Sequence, residues 1–421
     1  MVKPNAVTIN LHTHGCKLNQ AETEDLTRRL SDAGFLITGE LPADVMILNS
    51  CTVTHVADRK ARQWLRQAKR SNPSGLVIVT GCYAERLKDA LPDAEIADQV
   101  IGNRSKSGIV ELLKKSLGDF VKPGLSNRPE VARRIRSFLK IQDGCNRSCA
   151  YCIVPRVRPS VVSTPPDQVV NDVSKLVSAG YSEVVLTGTE PGEYNGNATR
   201  LDGLVTRILK ETSIERLHVS SLQPDEITSE LLSLWQDKRL VQHFHLPLQS
   251  GCDRTLRAMN RHYRSSDYLQ AFRLIREALP QATVTTDWMV GFPGETDVDF
   301  NDSRQFIRNC DFSAIHVFPF SPRPGTLASS LTQVPEKLKR QRALSALNLS
   351  RAKTRDCWSK LVGTVQDVLW ESEAATDPGM YTGLTSSYIR VFATSLKPVT
   401  GEILPVRITG SNNKGLTGTL A

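Results

Sequence analysis

A chain of 421 residues is too long for one typical hydrophobic core and implies two or three domains. Its 40% hydrophobic and 23% charged content is ordinary for a soluble globular protein, and no run of 18 apolar residues offers a membrane span. The net charge of +9 points, weakly by itself, to a polyanionic partner. Nine cysteines, an odd number, follow a start (Met1-Val2-Lys3-Pro4) that lacks a signal-peptide core; this argues against a disulfide framework and for a reducing cytoplasm.

From Val7 to about residue 118, apolar runs alternate with helical segments. Val7 to Leu11 reads as a strand that ends at Gly15-Cys16, and a helix is expected from about Ala21 to Ala33 with Gly34 as its stop. Asp44 to Leu48 runs into Asn49-Ser50-Cys51, and Leu76 to Thr80 into Gly81-Cys82. Alternating strands and helices imply a parallel sheet with right-handed crossovers. Cys16, Cys51 and Cys82 therefore each follow the carboxyl end of a strand, the edge where open parallel sheets bind ligands. Three thiols at one edge offer a metal-cluster site; the plainer alternative is three small buried hydrophobes. The helix after Cys51 carries Arg59, Arg62, Arg66, Lys69 and Arg70 around Trp64, either a phosphate-contacting face or a solvated one.

Residues 119–134 are rich in Pro, Gly and polar residues and read as a linker. Beyond it, Phe138 to Ile141 is a strand leading to Cys145-Asn146-Arg147-Ser148-Cys149-Ala150-Tyr151-Cys152, a C-x3-C-x2-C loop. Three soft thiolates on one loop suit three corners of an iron–sulfur cubane and leave one iron open. A structural zinc site would close with a fourth ligand, and no fitting His or Cys follows. Further strands are expected at Glu183 to Thr187, Leu217 to Ser220, His243 to Leu246, Thr283 to Val290 and Ala314 to Phe318, six in all, as in a partial β/α barrel. His218, His243, His245 and His316 alternate with apolar residues and read as satisfied core or rim histidines rather than ligands. Thr296-x-x-Asp299 is a capping box, and Val334 to Arg355 is a basic helix. From about Leu361 the chain turns into short strands divided by Gly, Ser and Asn, a small β-barrel with Pro405 suggesting an edge strand. Tyr381, Tyr388 and Arg390 are candidates for RNA contact there, although core packing is the commoner fate of such aromatics. Cys252, Cys310 and Cys357 fall outside both three-thiol sets and receive no role.

The cysteine loop, with Tyr151 before its last thiol, resembles the radical S-adenosylmethionine superfamily. His14 to Gln20, Asn49 to Thr54 and Gly81-Cys82 resemble the N-terminal domain of methylthiotransferases, and the tail resembles their RNA-binding, TRAM-like β-barrel. The resemblance spans essentially the whole chain. It implies an α/β fold with three parts: a parallel α/β domain at 5–118, a partial (β/α)6 radical barrel at 131–355 and a small β-barrel at 360–421. It implies two [4Fe-4S] clusters, the radical one on Cys145, Cys149 and Cys152 and a sulfur-carrying one on Cys16, Cys51 and Cys82. S-adenosylmethionine would serve as methyl donor and as source of a 5′-deoxyadenosyl radical, bound near Tyr151, Thr187, Gly188, Ser220 and Gln249. One departure stands out: Arg158-Pro159 and Thr164 occupy places where the family has Arg-Gly and Ser-Arg, which puts the fine geometry beside the cluster loop in question.

The implied reaction is methylthiolation of tRNA in the cytoplasm, with the anticodon stem-loop as partner and a flavodoxin or ferredoxin as electron donor. Gly15 to Gln20, Gln249 to Asp253 and His316 to Thr326 look most like the branch acting on N6-threonylcarbamoyladenosine beside the anticodon, at position 37. Isopentenyladenosine in tRNA and an aspartate of ribosomal protein S12 are the alternative substrates. An RNA-binding protein with a structural metal and an iron–sulfur electron carrier are the rivals from other classes.

Overall fold

The structure, a computed structural model, describes residues 7–87, 96–117, 135–374 and 377–421; the expected linker at 119–134 lies outside them. The first part holds strands β1 (Thr8–His14), β2 (Leu36–Thr38), β3 (Val45–Ser50), β4 (Leu76–Gly81) and β5 (Gln99–Ile101), and helices α1 (Lys17–Asp32), α2 (His55–Ser71), α3 (Cys82–Leu87) and α4 (Ile109–Leu117). The strands form one parallel sheet in the order β2-β1-β3-β4-β5. Every residue of the central strand β3 is buried, because helices cover both faces. Leu26, Leu30, Ile109 and Leu113 pack on one face, and Trp64, Leu65 and Tyr83 on the other. Helix α1 starts at Lys17 rather than Ala21. Cys16 is its extended N-cap, and Asn19, which reads as a loop residue, is fully buried with its amide donating to Asn49 Oδ1 (3.1 Å) and the Ser50 carbonyl (3.3 Å). Tertiary hydrogen bonds thus override a polar local signal.

The sheet arc of the central part is built from the six expected strands: β6 (Arg136–Lys140), β7 (Glu183–Thr187), β8 (Arg216–Val219), β9 (His243–His245), β10 (Thr283–Val290) and β11 (Ala314–Pro319). Two parallel three-stranded sheets, β8-β7-β6 and β9-β10-β11, meet at the Leu217–Leu240 bridge and at the Leu222 N–H donating to the His245 carbonyl (3.0 Å). This is an open arc with β6 and β11 as its edges. Strand period decides what faces where. Leu139, Val184, Leu186, Leu217, Phe244 and Val284 point outward into the main core with Val173, Leu204 and Ile275 of the surrounding helices. The edge strand β6 is covered by α1, whose Glu24 carboxylate accepts from Phe138 N (3.1 Å) and Ser137 Oγ (2.9 Å).

The capping box forms: Asp299 N donates to Thr296 Oγ1 (3.3 Å) and Thr296 N to Asp299 Oδ2 (2.6 Å). The basic helix runs Glu336–Ser359, and part of its charge is internal, since buried Arg342 pairs with Glu295 and Asp297 at 2.7 Å each. The last part is a closed barrel of β12 (Val365–Glu373), β13 (Met380–Thr385), β14 (Arg390–Thr394), β15 (Ile403–Ser411) and β16 (Leu416–Leu420), in the order β12-β13-β14-β16-β15. Pro405 is not on an edge strand, because closure leaves none. Its missing N–H falls beyond the last β15–β16 pair, Val406–Leu420, and its carbonyl accepts from Ala421 N (3.0 Å). The barrel docks on the amino-terminal ends of the radical-barrel strands. Arg216 donates to the Leu384 and Thr385 carbonyls (3.0 and 2.9 Å), and Gln242 N to that of Ser386 (2.8 Å). Tyr381 lies in the barrel core and Tyr388 in this docking surface, so neither is a free stacking platform, whereas Arg390 is exposed.

Candidate cluster and cofactor site

Strand register sets the first three thiols together. His14 pairs with Ser50 and Ser50 with Gly81, so Cys16, Cys51 and Cys82 leave neighbouring strands at one edge. Gly81 has φ +91°, and a Cβ there would lie 2.4 Å from the Ser50 carbonyl oxygen, which explains the glycine before Cys82. Burial, then the charge of Cys82, pushes the Cys51 thiol up to about 12, whereas Cys16 is exposed at the sheet edge.

The second set is shaped by its own loop. Gly144 (φ +80°) turns against the Ser160 carbonyl, Cys145 N donates to the Arg158 carbonyl (3.3 Å), and Cys152 N to that of Cys149 (3.1 Å). Asn260, itself at φ +56°, reaches across to hold Ser148 through its carbonyl and hydroxyl oxygens, both at 2.8 Å. Burial, then Glu190, pushes Cys145 up to about 12, and burial pushes Cys152 to about 11. Cys51, Cys145 and Cys152 are thus costly as bare thiolates and suited to a cationic centre, which deprotonates a bound thiol.

The donors fit clusters better than single ions. Among the described residues no three cysteine sulfurs lie within 4.8 Å of one another, whereas sulfurs around one tetrahedral zinc sit about 3.8 Å apart. N–H groups already point at sulfur, as in iron–sulfur sites: Val53 N on Cys51 (3.4 Å), Arg147 N on Cys145 (3.4 Å), Arg261 Nη1 on Cys149 (3.3 Å) and Arg158 Nε on Cys82 (3.2 Å). The carboxylates of Glu190, Glu193 and Glu226 do converge, but Arg147 sits among them and bonds all three.

The two sets adjoin. Cys82 packs against Ile153 and Val157, just after the second loop, and Arg158 spans the seam. Its guanidinium bonds Cys82, Glu22 (2.8 and 3.1 Å) and Asp143 (2.7 Å), the last of which accepts from Gly144 N (2.8 Å). Pro159 leaves this intact, because the contacts come from the arginine side chain and carbonyl.

The remaining expected contacts line the same rim. Thr187 is buried at the end of β7 and Ser220 just past β8, their hydroxyls 3.4 Å apart; a Cβ on Gly188 would meet the Gln142 carbonyl at 2.8 Å. Gln249 stands at φ +65°, buried, with its Oε1 unpartnered, a strained residue with a free acceptor at the rim. Tyr151 packs beside Met259 and Phe292. Arg147 and Glu190 are further site residues that sequence reasoning missed, though Arg147 lies inside the cysteine loop itself.

Residues 139–307 match the Radical SAM superfamily, and residues 8–102 match a family described as Uncharacterized protein family UPF0004. The threonylcarbamoyladenosine tRNA methylthiotransferase MtaB of Bacillus subtilis is 33% identical, with 95% of this chain and 93% of that one covered. The chain belongs to the radical S-adenosylmethionine methylthiotransferases. A family member from Pelotomaculum thermopropionicum, a tRNA-2-methylthio-N(6)-dimethylallyladenosine synthase, is 32% identical over 97% of this chain and 96% of that one. Among solved structures, the radical S-adenosylmethionine methyltransferase TsrM of Kitasatospora setae shares the fold at 15% identity, with a TM-score of 0.55 over 77% of each chain. Like other radical methylthiotransferases, the protein uses S-adenosylmethionine and iron–sulfur clusters.

Proposed function

We propose that the protein methylthiolates tRNA at N6-threonylcarbamoyladenosine, position 37 beside the anticodon. Cys145, Cys149 and Cys152 hold the radical cluster, and Cys16, Cys51 and Cys82 hold the cluster that carries the sulfur. The observation that carries this reading is the seam at Cys82, Ile153, Val157 and Arg158, which sets one three-thiol site against the other. Bound there, the clusters and S-adenosylmethionine supply the radical, the sulfur and the methyl group.

The chain's own residues bind and orient. Arg261 and Arg158 direct N–H groups at the sulfurs of Cys149 and Cys82, and Tyr151, Thr187, Gly188, Ser220 and Gln249 form the rim for the cofactor. The three domains run 5–118, 131–355 and 360–421. Exposed Arg59, Arg66 and Arg70 on α2, with Arg390, favour contact with the anticodon stem-loop, while Trp64 packs inward against His12. Among the described residues no helix is long and apolar enough to cross a membrane, which agrees with work on tRNA in the cytoplasm. A flavodoxin- or ferredoxin-type donor supplies the electron.

Nucleoside mass spectrometry of total tRNA from cells with and without the gene tests the reading. Loss of the methylthio derivative with accumulation of N6-threonylcarbamoyladenosine is the expected result. Loss of methylthio-isopentenyladenosine instead overturns the substrate, and an unchanged profile overturns tRNA as the target.

A further inference from the structure

The outward alternation of Val184, Leu217, Phe244 and Val284 turns Glu183, His218, His243, His245, Asp287 and His316 into the interior of the radical barrel. Tyr388 of the terminal barrel, at φ +64°, closes the floor. Its ring centroid lies 4.2 Å from His218 and 5.2 Å from His243, and its hydroxyl donates to Glu183. From the side, α1 sends in Lys17, whose Nζ lies 6.0 Å from the Tyr388 ring.

The carboxylates of this floor already have hydrogen-bond partners. Glu183 is already held by Arg136 (2.6 Å) and Arg216 (3.3 Å), and Asp287 by His245 (3.3 Å). Burial, then the charge of Lys17, keeps His218 and His243 neutral, with His218 bonded to His243 (3.1 Å) and His243 to Thr285 (2.9 Å). Among the described residues no carboxylate lies within 4.0 Å of Lys17 Nζ. Lys17 nevertheless keeps partial solvent access, as do His245 and Asp287, and His316 is exposed. An ammonium crowded by protein that keeps partial solvent access and has no ion-pair partner among the described residues calls for an anion from outside.

Resting on the substrate reading above, we infer that Lys17 is the carboxylate-binding residue of the substrate pocket, pairing with the threonyl carboxylate of the N6 substituent inside the barrel. An isopentenyl group carries no anion; in its place it would leave the ammonium unpaired beside His245, His316 and Asp287. The pocket thus selects by what it would strand as well as by what it binds.

Equilibrium binding of the reconstituted enzyme to three anticodon stem-loops tests this: one with N6-threonylcarbamoyladenosine, one with isopentenyladenosine and one whose threonyl carboxylate is converted to the amide. Wild type should prefer the carboxylate RNA over the amide by about ten- to hundredfold, the usual worth of a charged hydrogen bond. Lys17→Met should erase that preference, Lys17→Arg should keep part of it, and the variant with the amide should show no further loss. The wild-type comparison needs no variant, so it stands even if a change beside Cys16 disturbs the fold, which iron content reports. A preference that survives in Lys17→Met, or equal wild-type affinity for acid and amide, overturns the inference and leaves the substrate reading standing. Equal weakening of all three RNAs by Lys17→Met overturns it in favour of a phosphate contact. Tighter wild-type binding of the isopentenyl RNA than of the carboxylate RNA overturns the substrate reading itself.

Discussion

Arg158 donates through Nε to the sulfur of Cys82 at 3.2 Å, and the two residues come from different domains. The same guanidinium is nearly fully buried and holds Glu22, while Glu22 also pairs with Lys106 and Lys140. The arginine therefore ties the sheet edge bearing one thiol set to the loop bearing the other.

Removing it leaves Glu22 buried with part of its charge unpaired. Arg158→Gln should destabilise the protein by about 3–5 kcal/mol, the usual result of breaking a buried pair from one side. Arg158→Lys should keep the charge but lose the fork that reaches Cys82, Glu22 and Asp143 together, and should fall between. Thermal unfolding of the two variants checks the order. Equal midpoints to wild type would show that the seam bears no stability.

Acid should open the same seam. Burial raises the Glu22 pKa, but Lys106 and then Arg158 outweigh it and hold the carboxyl well below its usual range. A depressed folded-state value stabilises above the unfolded pKa of about 4.3 and is lost as pH falls below it. Wild type should therefore lose stability as pH drops below about 4.3, and Glu22→Gln should be less stable at neutral pH with a flatter acid limb. Denaturant midpoints measured across pH read this out directly.

Two glycines with similar backbones separate strain from collision. Gly144 (φ +80°) has the Ser160 carbonyl oxygen 2.0 Å from where a Cβ would sit, whereas Gly180 (φ +85°) faces open space. Gly144→Ala should displace the cysteine loop and lower both iron retention and S-adenosylmethionine cleavage. Gly180→Ala should cost only about 1–3 kcal/mol of backbone strain and leave iron content unchanged. Iron per chain after anaerobic reconstitution decides it.

The two thiol sets should separate in function. Cys16, Cys51 and Cys82 all changed to Ala should leave S-adenosylmethionine cleavage intact and abolish sulfur insertion. The same change at Cys145, Cys149 and Cys152 should abolish both. Sulfur insertion by the first triple variant would remove the role given to the N-terminal domain.

Much of this was legible without coordinates, because it is local. The C-x3-C-x2-C spacing lies within eight residues, and short apolar runs between helical stretches mark all six strands of the radical barrel. Cysteines just past three strands of one parallel sheet must share an edge, so register alone brings Cys16, Cys51 and Cys82 to the same side. What folding decided is where charge goes. Arg158 and Glu22 are 136 residues apart and Arg158 and Cys82 are 76 apart, and nothing local in the sequence pairs them. Lys17 reads as one residue of a loop, yet packing of α1 against β6 and docking of the terminal barrel put it beside Tyr388 inside the radical barrel. Periodicity records which face of an element is apolar; it carries no record of which distant charge will be buried against it, since that pairing exists only once three domains have packed.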